Sequence, residues 1–147
     1  MSNLMKLVVS SIAAASLAAP TNVSAEELRS VSCSVAVDYL VSGIVRAPYQ
    51  KDFVVNPGVG FEDFVWTNTG RMTLLDASTY LEAGTGNTIV TMSFYRDVGV
   101  FDSIDFSTYL TLRNDRVEET ASGSLTLYTS QPGYRTTNYK LTCSRVK

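Results

Sequence analysis

The chain predicts an all-β fold, an antiparallel meander of about eight strands, on three observations. Apolar residues recur at every second position in one run after another, the period of a half-buried strand. Turn-forming residues punctuate those runs at short, regular intervals. No stretch of ten or more residues carries the periodicity of an amphipathic helix.

The first strand, over 29–42, sets Val31, Cys33, Val35, Val37, Tyr39 and Val41 against Ser32, Ser34, Ala36, Asp38, Leu40 and Ser42. The second, over 46–55, is the weakest, because Pro48 cannot donate to a central ladder. Asn56-Pro57-Gly58 and Gly60 break the chain before a third strand over 60–67, where Phe64 and Trp66 share a face. Asn68-Thr69-Gly70 leads into the fourth, over 71–82. Gly84-Thr85-Gly86-Asn87 reads as a hairpin turn rather than a phosphate cradle. The fifth strand, over 87–96, alternates Val90, Met92 and Phe94 with Thr91, Ser93 and Tyr95. After Asp97-Val98-Gly99, the sixth, over 100–113, places Ile104, Phe106, Leu110 and Leu112 opposite Asp105, Ser107, Tyr109 and Thr111. Asn114-Asp115 precedes the seventh, over 117–129, with Gly123, Leu125 and Leu127 on one face and Ser124, Thr126 and Tyr128 on the other. Gln131-Pro132-Gly133 turns the chain into the eighth, over 135–146, where Tyr139, Leu141 and Cys143 alternate with Lys140, Thr142 and Ser144.

Residues 1–25 read as a cleaved secretory signal. Lys6 supplies the positive end, Leu7 to Ala19 form an apolar or small-residue run, and Val23-Ser24-Ala25 places small residues at the −3 and −1 positions of a peptidase site. The run is shorter than the roughly 20 residues a membrane span needs. Removal of the signal leaves 122 of the 147 residues as a single β domain over 26–147, with no later segment of spanning length. A secreted or periplasmic location follows.

Both cysteines lie in that domain, and in an oxidising compartment an even pair reads as one disulfide, Cys33–Cys143. Reactive dithiols favour close spacing, which this pair lacks. Both cysteines sit on apolar strand faces, so the bridge brings the first and last strands within about 6 Å, Cα to Cα. Paired edge to edge, those strands close the meander into a barrel; facing each other across a core, they make a two-sheet sandwich. Hairpin-length connections favour sequential neighbours, so the expectation is a closed or nearly closed soluble β-barrel, with the sandwich as the alternative. A membrane barrel fits poorly, because the domain is short and ends Ser144-Arg145-Val146-Lys147 without a terminal aromatic.

The chain has no histidine, which removes Ser-His-Asp and Cys-His nucleophile systems and imidazole metal sites. No Gly-x-Ser-x-Gly, Ser-x-x-Lys or P-loop occurs. The adjacent pairs Glu62-Asp63 and Glu118-Glu119 point to opposite strand faces, so neither forms a dyad. Asp76 and Glu82 qualify as an acid/base pair only if the fold brings them together. Asp97, Asp102 and Asp105 cluster near a turn without the spacing of a calcium loop. The expectation is a non-enzyme with no metal and no cofactor. A formal charge of −2 at pH 7 supplies no pull toward nucleic acid.

The aromatic content points to binding. Tyr109, Tyr128 and Tyr134 are the candidate interaction surface for a protein or glycan partner, since tyrosine brings large contact area at low entropic cost. Cross-strand stiffening of the sheet accounts for the same tyrosines without a ligand. Phe64, Trp66 and Phe94 are the candidate lining of a cavity for a small apolar ligand, against plain core packing. Three functions follow: a non-enzymatic binding or inhibitor-like module, a carrier of a small apolar ligand, and a structural subunit of an envelope or surface assembly.

Overall fold

A computed structural model of the chain describes residues 27–99, 102–128 and 133–146, with the side chain of Tyr128 outside that description. The expected signal at 1–25 lies outside the described residues. Eight antiparallel strands follow in order: β1 Val31–Val41, β2 Ile44–Val55, β3 Phe61–Trp66, β4 Met72–Leu81, β5 Thr88–Asp97, β6 Ser103–Leu112, β7 Glu118–Tyr128 and β8 Tyr134–Arg145. They form two four-stranded sheets, ordered β2-β1-β8-β7 and β3-β4-β5-β6. Among the described residues there is no helix.

Alternation decides which side chains enter the space between the sheets. Val31, Cys33, Val35, Val37 and Tyr39 of β1 are buried, as are Leu75 and Ala77 of β4 and Val90, Met92 and Phe94 of β5. Ile104, Phe106, Leu110 and Leu112 of β6 meet Leu141 and Cys143 of β8 in the same core. The outward faces carry hydroxyl pairs across neighbouring strands, such as Thr120–Thr142 at 3.0 Å and Ser78–Thr91 at 2.7 Å.

The first and last strands do pair, and Cys33 stands directly opposite Cys143 in the ladder. The disulfide joins them across 110 residues of sequence at a Cα separation of 4.1 Å, the close spacing of a non-hydrogen-bonded antiparallel pair. That pairing does not close a barrel. The expected closure is corrected to the two-sheet sandwich, because the cycle of strands is broken at β2/β3 and again at β6/β7.

The corners explain the breaks. Between β2 and β3 the chain turns through Gly58 and Gly60, both at positive φ, with one isolated bridge between Asn56 and Gly60. A Cβ on Gly60 would stand 2.9 Å from the Ala77 carbonyl oxygen, so only glycine lets β3 cross this close to β4. Side chains then occupy the seam where a ladder would run: Phe53 stacks on Phe61 at 4.8 Å, and Lys51 pairs with Asp63 at 3.0 Å. Burial, with help from the Asp63 carboxylate, pushes the Tyr49 phenol in this seam up to about 12. Pro48 is accommodated because β2 is an edge strand, as its missing donor requires.

Ser42 and Gly43 both take positive φ and form a two-residue turn between β1 and β2. This Ser-Gly signal marks a break that the strand pattern alone placed about two residues too late.

Candidate functional site

The β6/β7 seam is shut at one end and open at the other. At the shut end Arg113 bonds Glu119 at 2.7 Å, and the Arg145 guanidinium donates to the Leu112 carbonyl. In the middle, Tyr139 lies flat over Gly123, its cross-strand partner in β7. The Tyr139 ring stacks on Phe106 at 4.8 Å, and its hydroxyl meets Thr108 at 2.9 Å. A side chain at position 123 would collide with this ring, since its Cβ would fall 2.5 Å from Tyr139 Cε1.

Beyond Tyr139 the sheets part and leave a cleft of about 350 Å³. Ile104 and Phe106 form one wall and Leu125 and Leu127 the other, with Tyr39 and Thr137 also on its lining. Arg135 and Asp102 form an ion pair between the two sheets at its mouth. Leu125 is 46% exposed and Leu127 64%, although both occupy the inward face of β7. Ala121 and Gly123 precede them on that face. The volume lies in the range of small-molecule sites, and the lining joins the apolar walls to the polar side chains of Asp102, Ser103, Asp105, Arg135 and Thr137.

Tyr39 supplies the polar group of greatest consequence. Its residue is 6% exposed, and its hydroxyl has no hydrogen-bond partner among the described residues. Buried hydroxyls are nearly always paired, because an unmet one costs roughly 1–3 kcal/mol. The hydroxyl itself is closed off from solvent, so Tyr39 lines the cleft with its ring while its oxygen stays buried behind the wall.

The residues expected to act lie elsewhere. Tyr109 is exposed on the outer face of β6, and Tyr134 is exposed at the start of β8 in the other sheet. The two do not belong to one sheet face; the Tyr128 side chain lies outside the described residues. The proposed cavity lining of Phe64, Trp66 and Phe94 is corrected: Phe94 is filled core, while Phe64 and Trp66 face outward and are exposed. Those two do share a face, with ring centroids 5.7 Å apart. Trp66 belongs to the six-residue edge strand β3, whose outer face no second layer covers.

The carboxylates are engaged separately. Asp97 accepts from the Tyr95 hydroxyl at 2.6 Å and the Met72 amide at 2.9 Å, which hold its carboxyl below its usual value. Asp102 pairs with Arg135, and Asp105 sits opposite Tyr95 in the ladder. Glu82 accepts from Thr85 and Asn87, which lower its pKa in that order. It lies in the β4–β5 turn, whereas Asp76 sits within β4 opposite Glu62.

Tyr39, Leu125, Leu127 and Arg135 escaped the sequence reading as site residues. Two leucines following small residues on one strand face were the available signal, and the period-two pattern treats such leucines as ordinary core. No family model, curated protein or solved structure matches the chain. Among the described residues, no helix is long and apolar enough to cross a membrane.

Proposed function

We propose that this protein is a non-enzymatic binding module that works outside the cytoplasm, and that its site is the open end of the β6/β7 seam. The observation that carries the reading is the cleft of about 350 Å³ itself, with Ile104 and Phe106 on one side, the exposed Leu125 and Leu127 on the other, and Asp102, Ser103, Asp105, Arg135 and Thr137 also on its lining. A matching ligand has a small apolar body and one hydrogen-bonding group. The apolar part sits between Ile104, Phe106, Leu125 and Leu127, and the polar group meets the Arg135 and Asp102 side of the lining. Export is supported by the signal-like residues 1–25 and by a buried disulfide, a bond that persists in oxidising compartments. The Arg135–Asp102 pair at the mouth favours ligands whose polar end stays near water.

A fluorescence titration with 1-anilinonaphthalene-8-sulfonate tests the site, since the probe joins an apolar ring system to one anionic acceptor. Saturable enhancement is expected with the native chain. It should be lost in Leu125→Asp and Leu127→Asp, whose exposed positions tolerate a charge. Equal enhancement in the native chain and both variants would show that the probe binds elsewhere and would remove the seam as the site.

A further inference from the structure

The β2/β3 seam reaches the same pole of the sandwich and ends there in a basic pocket. Its volume is about 340 Å³, and its lining includes Arg46, Arg71 and Arg96 with Thr67 and Thr69. Asp97 is the only acid on that lining; its oxygens accept from Tyr95 and Met72, and its charge also interacts with Arg71, so the three arginines outnumber one carboxylate. Arg96 donates to the Pro48 carbonyl at 2.9 Å and lies 5.8 Å from the Tyr49 ring centroid, which fixes its position. Three of the chain's 12 cationic residues thus converge in a protein whose formal charge is −2.

Arg46 reaches this pocket through a register break. Tyr39 pairs with Ala47 and Leu40 with Val45, so Arg46 is the extra residue of a β-bulge. Bulges re-aim a side chain at the expense of ladder pairing and recur beside functional sites.

Exposed apolar residues stand at the same pole, where β2 begins and β3 ends. Ile44, Val45 and Trp66 are exposed, at 56%, 48% and 60%, and they immediately precede Arg46 and Thr67 in the chain. A site for a soluble anion has no use for exposed apolar side chains at its pole. Guanidinium forks that match phosphate oxygens, at the same pole as exposed tryptophan and aliphatic side chains, fit the headgroup layer of an anionic membrane.

We propose that this pole docks on an anionic lipid surface, with a headgroup phosphate among Arg46, Arg71 and Arg96 and with Trp66, Ile44 and Val45 entering the headgroup layer. The pocket shares no lining residue with the ligand cleft at the same pole, and the proposal does not depend on that cleft.

Trp66 is the single tryptophan, so its fluorescence reports the docking directly. The experiment uses residues 26–147, which hold all eight strands and the disulfide. Vesicles of phosphatidylcholine with phosphatidylglycerol should shift Trp66 emission to the blue, and phosphatidylcholine alone should not. Arg46→Gln with Arg71→Gln should weaken partitioning about thirtyfold, from roughly one unit of lipid attraction per arginine. Arg96 stays native in that variant because it ties β5 to β2. Unchanged far-ultraviolet circular dichroism establishes that the variant folds. Equal binding to both vesicle types, or none to either, would overturn the proposal. Perturbation of the arginine side-chain resonances by inorganic phosphate without vesicle binding would also overturn it, in favour of a soluble-anion site. Heparin binding without vesicle binding would reassign the surface to a sulfated glycan.

Discussion

Tyr39→Phe measures the cost of the buried hydroxyl. The residue is 6% exposed and its hydroxyl meets no described partner, so removing one oxygen deletes an unmet polar group and leaves the packed ring in place. An unsatisfied buried hydroxyl costs roughly 1–3 kcal/mol, and the small loss of packing offsets part of the gain. A net stabilisation of about 1 kcal/mol is expected for the ligand-free chain. In urea, with a slope of roughly 2 kcal/mol per molar, that raises the midpoint by about 0.5 M. Probe binding in the cleft should be unchanged, because the hydroxyl is closed off from it. Tyr139→Phe is the internal control, because its hydroxyl is paired with Thr108 at 2.9 Å. The same chemical change there should cost about 1 kcal/mol. If Tyr39→Phe destabilises the protein as Tyr139→Phe does, the hydroxyl is satisfied in solution and the argument from its isolation fails.

Gly123→Val should destabilise by at least about 1–3 kcal/mol, because its Cβ would fall 2.5 Å from Tyr139 Cε1; an unchanged urea midpoint would refute that packing. Cys33→Ser with Cys143→Ser should cost roughly 2–4 kcal/mol, read from denaturation of the oxidised native chain against the variant. Retention of most of the fold is expected, since β1 and β8 still share a full ladder. Among the tyrosines, Tyr49 should ionise late, near its raised value of about 12, in an ultraviolet titration of phenolate absorbance that Tyr49→Phe simplifies. With its folded value above the ordinary 10.0 of a tyrosine, Tyr49 favours the native state below pH 10, and that contribution fades as pH rises toward 12.

Much of the fold was legible in the chain because its signals are local. The run from Val31 to Tyr39 alternates cleanly, and those side chains are buried as the pattern requires. The eight strands fall within about three residues of their expected bounds, and Cys33 meets Cys143 from the apolar faces of two paired strands. The candidate site was far less legible. Phe64 and Trp66 look like core residues in a list of apolar positions, yet an edge strand with one uncovered face leaves them in solvent. Tyr39 looks like the polar end of a core strand, and nothing in its own segment tells that its hydroxyl lacks a partner.

The sequence by itself determined the strand class, the faces, the order of turns and the tie between the chain's two ends. Each rests on residues a few positions apart or on the only pairing two cysteines allow. Tertiary structure alone decided that the cycle of strands breaks into two sheets, and which break stays open. Those outcomes depend on contacts between distant residues at the corners: Phe53 with Phe61 across one seam, and Tyr139 over Gly123 in the other. Alternation specifies what faces inward, but not whether the facing edges are close enough to bond. Where side chains fill the corner the seam is sealed; where β7 offers only leucines past Gly123, it parts into a cleft.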